Sequence, residues 1–359
     1  MARVLYVYGG VLLRGGTESY MMNCLRHFSP GLQVDFAVHG GERGVFDDEI
    51  EARGGVIHRL PVRSRDPQGH KEALREAIGI ARYAAVHSHA DTANAHILKM
   101  AALCGVPLRI SHSHNTAVQG SRWHRWLGDY EKRQIPRSAT HLFACGEAAG
   151  RWLYGKNPFT VFPNAIELGR FLFNEDARRE LRGQLGVGET ATVLCHVGRF
   201  CYQKNQAFLL DVMEKVTADA LLLLIGDGED RPEIEQQIIE KNLQNRVRII
   251  GPTDEVNRYL QAADIFLLPS RFEGLPVTMI EAQAAGLPCL VSEAVTREAA
   301  VVPGCRFMPL DAGRWAAEID RLSDSAARPN TEKKLTAAGY DIEEQAARLE
   351  NFYNTGVLT

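Results

Sequence analysis

Two carboxylates have a spacing that could do chemistry. Glu273 and Glu281 stand eight positions apart in PSRFEGLPVTMIEAQAAGLPCLVS (Pro269–Ser292), the first in a glycine–proline loop and the second in a helix-like run. Pro276 suits the first turn of a helix, which puts Glu281 about one and a half turns inside it, leaning back toward the amino end. The N–H groups of Gly274 to Val277 would then face an anion, and the acids could accept hydrogen bonds from hydroxyl groups. An ordinary strand-to-helix connection would look the same in isolation.

Two cations lie in a second loop of this kind. Arg199 and Lys204 occur in HVGRFCYQKNQ, after an expected strand and with Gly198 at the turn. A planar guanidinium and an ammonium group before a helix can neutralise a diphosphate, although solvated loop charges have the same spacing. A ligand that carries both a diphosphate and many hydroxyl groups is a sugar nucleotide, and it would satisfy both loops.

A glycine-rich loop follows the first expected strand. YGGVLLRGGTES places Gly15 and Gly16 just before a helix, where glycines let a ligand approach the backbone and the helix amino end favours anions. A flexible connection explains the loop equally well. The loop lacks the GxGxxG pattern, so a nicotinamide cofactor loses support.

Two histidine pairs end later strands of the same half. His87 with His89, and His112 with His114, each place both imidazoles on one side of a strand. Although Asp91 is nearby, no cysteine or acidic ligand is placed to complete a metal site, so no metal is expected. We expect one histidine to act as a hydrogen-bond donor or proton handler, and at least two of the four to cap or pack.

These loops need a framework that brings strand ends together. Short β-branched runs alternate with helical patterns, the order of a parallel sheet covered by helices on both faces. The second half repeats the order, so we expect two doubly wound α/β units joined at FPNAIELGRF, with ligands beyond the carboxyl ends of the strands. The expected strands are residues 3–8, 33–38, 84–87, 108–112, 141–144, 192–197, 220–225, 247–250, 265–268 and 288–291. The expected helices are 18–27, 94–103 and 122–134, with two more from Gln206 and Pro232.

Composition limits the class of protein. The chain has 359 residues, 45% hydrophobic and 24% charged, enough for two globular domains. Its longest aliphatic run, LLLLI, is far short of the roughly 20 residues of a membrane span, and the apolar part of MARVLYVYGG is too short for a secretory signal. Seven cysteines without a CxxC pair fit reduced core residues, so we expect a cytoplasmic protein.

Charge differs between the halves. Residues 1–165 carry 20 Lys and Arg against 14 Asp and Glu, and residues 166–359 carry 21 against 30, for a net charge of −3. Eleven of the twelve histidines also lie before position 165. This asymmetry fits two domains with different tasks.

Taken in order along nearly the whole chain, these motifs resemble glycosyltransferase family 4. SRFEGLPVTMIEAQAAGLPCLVS is similar to its E-x7-E segment, GRFCYQKNQAFLL to its diphosphate loop, PNAIE to its interdomain PNGID, and RGGTES to its GG.E loop. ISHSHNT and CGEAAGRWLYG are most similar to bacterial exopolysaccharide and capsule transferases. The resemblance implies a GT-B fold of two Rossmann-like doubly wound domains with an interdomain cleft. The acceptor-side domain would be residues 1–165, the nucleotide-sugar domain 166–340, and 341–359 a helix returning toward the first domain.

The resemblance also implies a retaining transferase and a role for each site residue. The donor would be a nucleotide-diphosphate sugar, with uridine expected, and the acceptor a hydroxyl of a glycan or polyprenyl-linked glycan, with no cofactor, obligatory metal or nucleic-acid partner. Glu281 would bind ribose hydroxyls, Glu273 would face the donor sugar, and His114 would touch that sugar from the other domain. Arg199 and Lys204 would hold the diphosphate and stabilise its growing charge. Further donor-binding positions would be Gly16, Gly198, Gly274, Leu275, Pro276 and Val277.

The reaction route and two rival functions stay open. We expect front-face displacement in which the leaving phosphate helps deprotonate the acceptor. A sugar-nucleotide 2-epimerase of the same fold is one alternative, although the E-x7-E and GRF…QKN loops argue against it, and a catalytically silent binding protein is another. The chain departs from the family at Asn115, where many relatives have Asp, and at Ala165, where Gly is usual.

One helix of the first half could meet a membrane. In SRWHRWLGDYEKRQIPR, one helical stripe is aromatic or aliphatic and is flanked by basic residues; the stripe is Trp123, Trp126, Leu127 and Tyr130, and the basic residues are Arg122, Arg125, Lys132 and Arg133. The stripe either packs against its own domain or lies peripherally on anionic lipid at the inner face of the membrane. A polyprenyl-diphosphate-linked acceptor would be presented there.

Overall fold

The protein forms two compact units. A computed structural model describes residues 2–116, 122–188, 190–323 and 328–358, with backbone only at 122–126. One unit comprises the chain up to Ala165 together with the segment from Asp341 onward, and the other runs from Ile166 to Tyr340. The boundary between Ala165 and Ile166 falls within the FPNAIELGRF segment.

The first unit is built on a parallel sheet. Its strands are β1 (Ala2–Tyr8), β2 (Leu32–His39), β3 (Ile57–Leu60), β4 (Ala85–His89), β5 (Leu108–Ser113), β6 (His141–Ala144) and β7 (Thr160–Val161). The connecting helices are α1 (Gly16–His27), α2 (Asp47–Ala52), α3 (Pro67–Gly79), α4 (Asn94–Leu103), α5 (Arg122–Ser138) and α6 (Glu147–Tyr154). The strand order is β3-β2-β1-β4-β5-β6-β7. Buried aliphatic and aromatic side chains on both faces, with Tyr6 and Phe36 among the largest, explain why the central strands read as continuous apolar runs.

The second unit repeats this architecture. Its strands are β8 (Thr192–Val197), β9 (Ala220–Ile225), β10 (Val247–Gly251), β11 (Ile265–Leu268), β12 (Cys289–Ser292) and β13 (Cys305–Met308), in the order β10-β9-β8-β11-β12-β13. Its helices are α7 (Leu168–Phe171), α8 (Glu175–Leu185), α9 (Gln206–Met213), α10 (Arg231–Glu240), α11 (Val256–Ala262), α12 (Val277–Ala284), α13 (Ala312–Leu322) and α14 (Glu332–Ala337). The doubly wound α/β architecture expected for both halves is therefore confirmed.

The last helix, α15 (Ile342–Thr355), belongs to the first unit. The Asp341 side chain caps it by accepting the N–H of Glu343, and Gly356 ends it in the left-handed conformation with φ 73°. Phe352 and Tyr353 are buried in the core of the first unit, and the Tyr353 hydroxyl lies 3.0 Å from that of Tyr6. Residues of α15 are thus part of the hydrophobic core of the first unit.

The expected elements differ from the structure mainly at the sheet edges. The strands β3, β7 and β13 were not expected; they are edge strands that are only partly buried, so they lack the continuous apolar run of the central strands. Helix α5 continues past the expected end at Gln134 to Ser138 and includes Pro136. Among the described residues, no helix combines the length and apolarity that a membrane span needs.

The two sheets reverse their strand order at β1/β4 and at β8/β11. Open α/β sheets bind ligands beyond the carboxyl ends of the strands at such switch points. A ligand-binding site is therefore expected at the loops that follow these four strands.

Candidate functional site

Two loops join at the switch point of the second sheet, after β8 and β11. The backbone N–H of Arg271 donates to the carbonyl of Gln203 at 2.8 Å, and the side-chain amide of Asn205 donates to the carbonyl of Pro269 at 3.2 Å. Asn205 has a φ of 58°, a left-handed conformation that asparagine tolerates better than most residues. These bonds hold the QKN and SRFEG sequences side by side.

Glu273 is fixed by three donors from these loops. Lys204 Nζ lies 2.6 Å and Ser270 Oγ 2.7 Å from its Oε1, while Gln203 Nε2 lies 3.2 Å from its Oε2. The Glu273 side chain is only 7% exposed. The structure thus brings together two predicted site residues, Lys204 and Glu273, which are 69 residues apart in the chain. In the unliganded protein the carboxylate neutralises the ammonium group.

Glycines set the course of the Lys204 loop. A Cβ on Gly198 would lie 3.1 Å from the Lys204 side chain, so a larger residue there would push the lysine by a few tenths of an ångström. The loop after β9 packs closely against the backbone of the Lys204 loop. A Cβ on Gly226 would lie 2.2 Å from the Gly198 carbonyl oxygen, and a Cβ on Gly228 would lie 2.3 Å from the Phe200 carbonyl oxygen. Sequence reasoning missed Gly226 and Gly228, although GDG directly after a strand was an available signal.

Arg199 is placed differently from Lys204. Its side chain is 72% exposed and pairs with Glu229, with 3.0 Å between Arg199 Nε and Glu229 Oε2. The structure therefore does not bring Arg199 to the Glu273 carboxylate. An exposed arginine at the loop surface keeps the freedom to turn toward an anionic ligand.

The amino end of helix α12 directly follows the loop after β11. Pro276 is the N-cap and Val277 the first helical residue, one position later than expected. The expectation that Gly274 to Val277 all direct N–H groups to a ligand is wrong for Pro276, because proline has no N–H. The backbone donors near this helix end come from Gly274, Leu275 and Val277.

Glu281 stands inside α12 with an uncommitted carboxylate. The side chain is partly exposed, and within the described residues no hydrogen-bond donor reaches it. Burial raises the pKa of Glu281 to about 7, and the charge of Arg170 opposes this rise only in part. A carboxylate in this state gains from any ligand that supplies hydroxyl donors.

The histidine pairs of the first unit form hydrogen-bonded chains. The carbonyl of Phe162 can only accept, so His112 donates to it through Nε2 at 3.2 Å. His112 Nδ1 must then accept from His87 Nε2 at 3.2 Å, and His87 Nδ1 must accept from the Tyr353 hydroxyl at 2.6 Å. Burial lowers the pKa of His87 and His112 well below the usual range, so both imidazoles are neutral.

His114 belongs to a second chain of this kind. Its Nδ1 donates to Asn164 Oδ1 at 3.0 Å, and its Nε2 accepts from His89 Nδ1 at 2.8 Å. Burial lowers the pKa of His114 to about 4. Both ring nitrogens of His114 are therefore occupied by the protein, and His89 Nε2 is buried without a partner in the part of the chain that the structure describes. Contact between a His114 nitrogen and a sugar would require one of these bonds to be exchanged.

A metal ion at the histidine cluster would compete with the hydrogen bonds of that cluster. Nitrogen atoms of His87, His89 and His112 lie within 4.8 Å of one another. However, the hydrogen-bond chain already uses the lone pairs of His87 and His112, which leaves only that of His89 free. A cation would have to break the chain that orders these rings.

Asp91 lies at the switch point of the first sheet, two residues after β4. Its φ is 50°, an unusual conformation for a non-glycine residue. Its Oδ2 accepts from Asn115 Nδ2 at 2.6 Å, and backbone bonds from His114 and Asn115 also hold the carboxylate. The other oxygen, Oδ1, is buried without a hydrogen-bond partner among the described residues, and burial raises the pKa of this group. Sequence reasoning considered Asp91 only as a weak metal ligand, because the contact with Asn115 depends on sheet order.

The glycine loop after β1 is filled by a carboxylate of its own. Gly16 opens α1, and the buried Glu18 accepts from the Tyr8 hydroxyl and from backbone N–H groups that include that of Leu13. A Cβ on Gly15 would lie 2.4 Å from Glu18 Oε2. The glycine at position 15 therefore makes room for Glu18, which occupies the place that we expected an anion to take.

The stripe on α5 is described in part. The side chains of Trp123, Trp126, Arg122 and Arg125 lie outside the described residues. Leu127 is 39% and Tyr130 is 56% exposed, so neither is packed into the core of its unit. Lys132 Nζ lies 4.3 Å from the centre of the Trp152 ring, where it makes a cation–π contact.

Comparison with known proteins covers both units. The profile of the family described as "Glycosyl transferase 4-like domain" matches residues 15–165, and that of "Glycosyl transferases group 1" matches residues 191–325. EpsF of Bacillus subtilis, which bears a glycosyltransferase name, is 34% identical over 98% of this chain and 96% of its own. The UDP-Gal:alpha-D-GlcNAc-diphosphoundecaprenol alpha-1,3-galactosyltransferase of Escherichia coli is 26% identical over 59% of this chain and 58% of its own.

The fold is shared with solved structures. HepE of Anabaena in complex with UDP superposes with a TM-score of 0.75 over 97% of this chain and 95% of its own, at 17% identity. That likeness concerns the fold, whereas the profiles and EpsF concern the family.

Proposed function

Because the chain belongs to the GT-B glycosyltransferases of family 4, we propose that it transfers a sugar from a UDP-sugar to a hydroxyl of a glycan or polyprenyl-diphosphate-linked acceptor, with retention of configuration. One observation carries the proposal: Lys204, Glu273 and the uncommitted Glu281 lie on loops and a helix at the switch point of one sheet. The E. coli relative is named for UDP-galactose and a diphosphoundecaprenol-linked sugar, and HepE was solved with UDP, which supports this donor and acceptor class. Capsular and amylovoran transferases among the relatives support a place in polysaccharide biosynthesis.

The donor would be held at its diphosphate by positive charge and at its ribose by a carboxylate that accepts hydrogen bonds from the hydroxyl groups. Lys204 would exchange part of its contact with Glu273 for the diphosphate, and the exposed Arg199 would turn in from the loop surface. The Glu281 carboxylate would accept the ribose hydroxyls. Positive charge at the diphosphate matters most as the glycosidic bond breaks, since negative charge then grows on the leaving phosphate. The chain's own cations would supply that charge, so we expect no resident metal or cofactor.

The first unit would contribute to the sugar and acceptor side. Asp91 would offer Oδ1 as an acceptor for a hydroxyl group, because that oxygen has no hydrogen-bond partner among the described residues. His114 would present a ring held in one tautomer by His89 and Asn164. The leaving phosphate would help deprotonate the acceptor hydroxyl in a front-face displacement. An epimerase is not favoured by relatives named as transferases, and incubation with donor alone separates the two, because only an epimerase would yield a new sugar nucleotide.

Peripheral attachment to a membrane is a second part of the proposal. The exposed Leu127 and Tyr130 on α5 could reach lipid headgroups beside the basic residues of that helix. Co-sedimentation with vesicles should then be stronger for anionic than for neutral lipid and should weaken with salt. Equal binding to both vesicle types, or none, would favour an acceptor free in solution.

Thermal unfolding with a panel of nucleotides tests the donor assignment. UDP and UDP-sugars should raise the melting temperature by mass action, whereas ADP and GDP should raise it less. Lys204→Ala should lose the shift, and Lys215→Ala, which changes an exposed lysine of the same unit, should keep it. An equal shift with all bases, or a full shift in Lys204→Ala, would contradict the proposal.

A further inference from the structure

Two cysteines face each other across the edge of the second sheet. Cys289 opens β12 and Cys305 opens β13, and the two are register partners in this parallel pair. Residues opposed in this way point to the same face, and neighbouring strands run about 4.8 Å apart, within the Cα separations of disulfides. Cys289 Sγ donates to the carbonyl of Leu287 at 3.4 Å, and the two thiols lie close enough to affect each other's ionisation. A bond between them would need little movement of the backbone.

The two thiols differ in environment. Cys289 is fully buried, whereas Cys305 is partly exposed. The interaction between the two thiols lowers the pKa of Cys305, and the same interaction together with burial raises the pKa of Cys289. Because the thiolate is the reactive form, Cys305 has the properties of an attacking cysteine and Cys289 those of a resolving one.

We propose that Cys289 and Cys305 form a thiol pair that disulfide oxidants such as oxidised glutathione convert into a disulfide. The Cys305 thiolate attacks one sulfur of oxidised glutathione, forms a mixed disulfide and releases one glutathione, which takes up a proton. Cys289, losing its proton, then attacks the Cys305 sulfur and releases the second glutathione. Two protein thiols are oxidised to one disulfide, and one glutathione disulfide is reduced to two thiols.

The position of the pair separates it from the donor loops. Both cysteines stand at the amino ends of their strands, whereas Lys204, Glu273 and the mouth of α12 follow carboxyl ends. Strand β13 is the edge of the sheet, so the bond would fasten that edge to β12. We therefore expect oxidation to raise the melting temperature and to leave the shift caused by UDP unchanged. This modification site does not depend on the proposed function.

The test uses the full chain with oxidised glutathione as the probe. After alkylation of free thiols and unfolding, peptide mass spectrometry should find a cross-link between the Cys289 and Cys305 peptides, with two of the seven thiols lost to this disulfide in addition to any that carry a glutathionyl adduct. The exposed Cys104 serves as the internal reference, because it can only acquire a glutathionyl adduct.

Single substitutions separate the two roles. In Cys289→Ser, or in Cys289→Ala if serine is not tolerated in the core, the glutathionyl adduct should remain on Cys305, because nothing resolves it. In Cys305→Ser, Cys289 should stay a free thiol. The proposal is overturned if wild-type Cys305 keeps an adduct or a free thiol when Cys104 has fully reacted, or if the adduct on Cys305 persists equally in wild type and Cys289→Ser.

Discussion

Glu281→Gln should make the protein more stable and at the same time weaken its binding of UDP. The pKa of this carboxyl group rises from 4.5 to about 7 because burial penalises its charged form. Glutamine keeps the volume of the side chain and removes the charge. The substitution therefore removes both the cost of burying a carboxylate and the acceptor that we assign to the ribose.

The sign and size of the stability change follow from the pKa. A carboxyl group with a raised pKa in the folded state contributes stability below its unfolded pKa and loses it as the pH rises to the folded value. For Glu281 that window runs from pH 4.5 to about 7. At about 1.4 kcal/mol for each pKa unit the full cost is about 3.5 kcal/mol, and partial exposure reduces it to about 1–3 kcal/mol. Glu281→Gln should thus match wild type near pH 4.5 and exceed it by this amount at pH 8.

Two measurements at several pH values check this reasoning. Urea unfolding should show the gain at pH 8 and not at pH 4.5, with Glu240→Gln, an exposed carboxyl of the same unit, unchanged at both. Calorimetric titration should show UDP affinity about tenfold or more below wild type in Glu281→Gln, as expected for a lost charged hydrogen bond. The affinity of the wild type for UDP, divided by that of Glu281→Gln, should also rise from pH 5.5 to 8. Taking this ratio corrects for the ionisation of UDP itself. Unchanged stability at pH 8 together with wild-type UDP affinity would refute both the burial and the ribose assignment.

Three further substitutions test separate parts of the site. Lys204→Ala should lower UDP affinity about tenfold to a hundredfold in calorimetric titration, because it removes a charged partner of the diphosphate; an unchanged affinity would place the diphosphate elsewhere. Asp91→Asn keeps a residue that tolerates the φ of 50° and removes the charge and one acceptor oxygen, so UDP binding should persist while transfer to the proposed acceptor falls; equal loss of both would assign Asp91 a structural role. Gly228→Ala should lower the free energy of unfolding by about 1–3 kcal/mol, since its Cβ would lie 2.3 Å from the Phe200 carbonyl oxygen, and full stability in urea would contradict that geometry.

The fold could be predicted because its central strands carry the signal locally. Residues 192–197, 220–225 and 265–268 have the expected bounds, as each is a short apolar run buried on both faces. The edge strands β3 and β13 were not predicted because they are only partly buried and contain polar residues, so they lack the continuous apolar run that identifies β11, which is equally short. The contacts between side chains could not be predicted for another reason. The ion pair of Lys204 with Glu273 depends on β8 lying beside β11, and this strand order cannot be read from either motif alone.

The order of acidities in the two units bears on the reaction route. An imidazole is ordinarily a stronger base than a carboxylate, yet burial lowers the pKa of His114 to about 4 and raises that of Glu281 to about 7. His114 is thus neutral throughout the range in which the protein is assayed, and its donors and acceptors are set by His89 and Asn164. A change of activity with pH near neutrality would then reflect ribose binding by Glu281 and not proton transfer by a histidine. The sequence predicted that one histidine handles a proton, but the His114 ring is better suited to keep a fixed orientation than to accept a proton. This agrees with a displacement in which the leaving phosphate acts as the base.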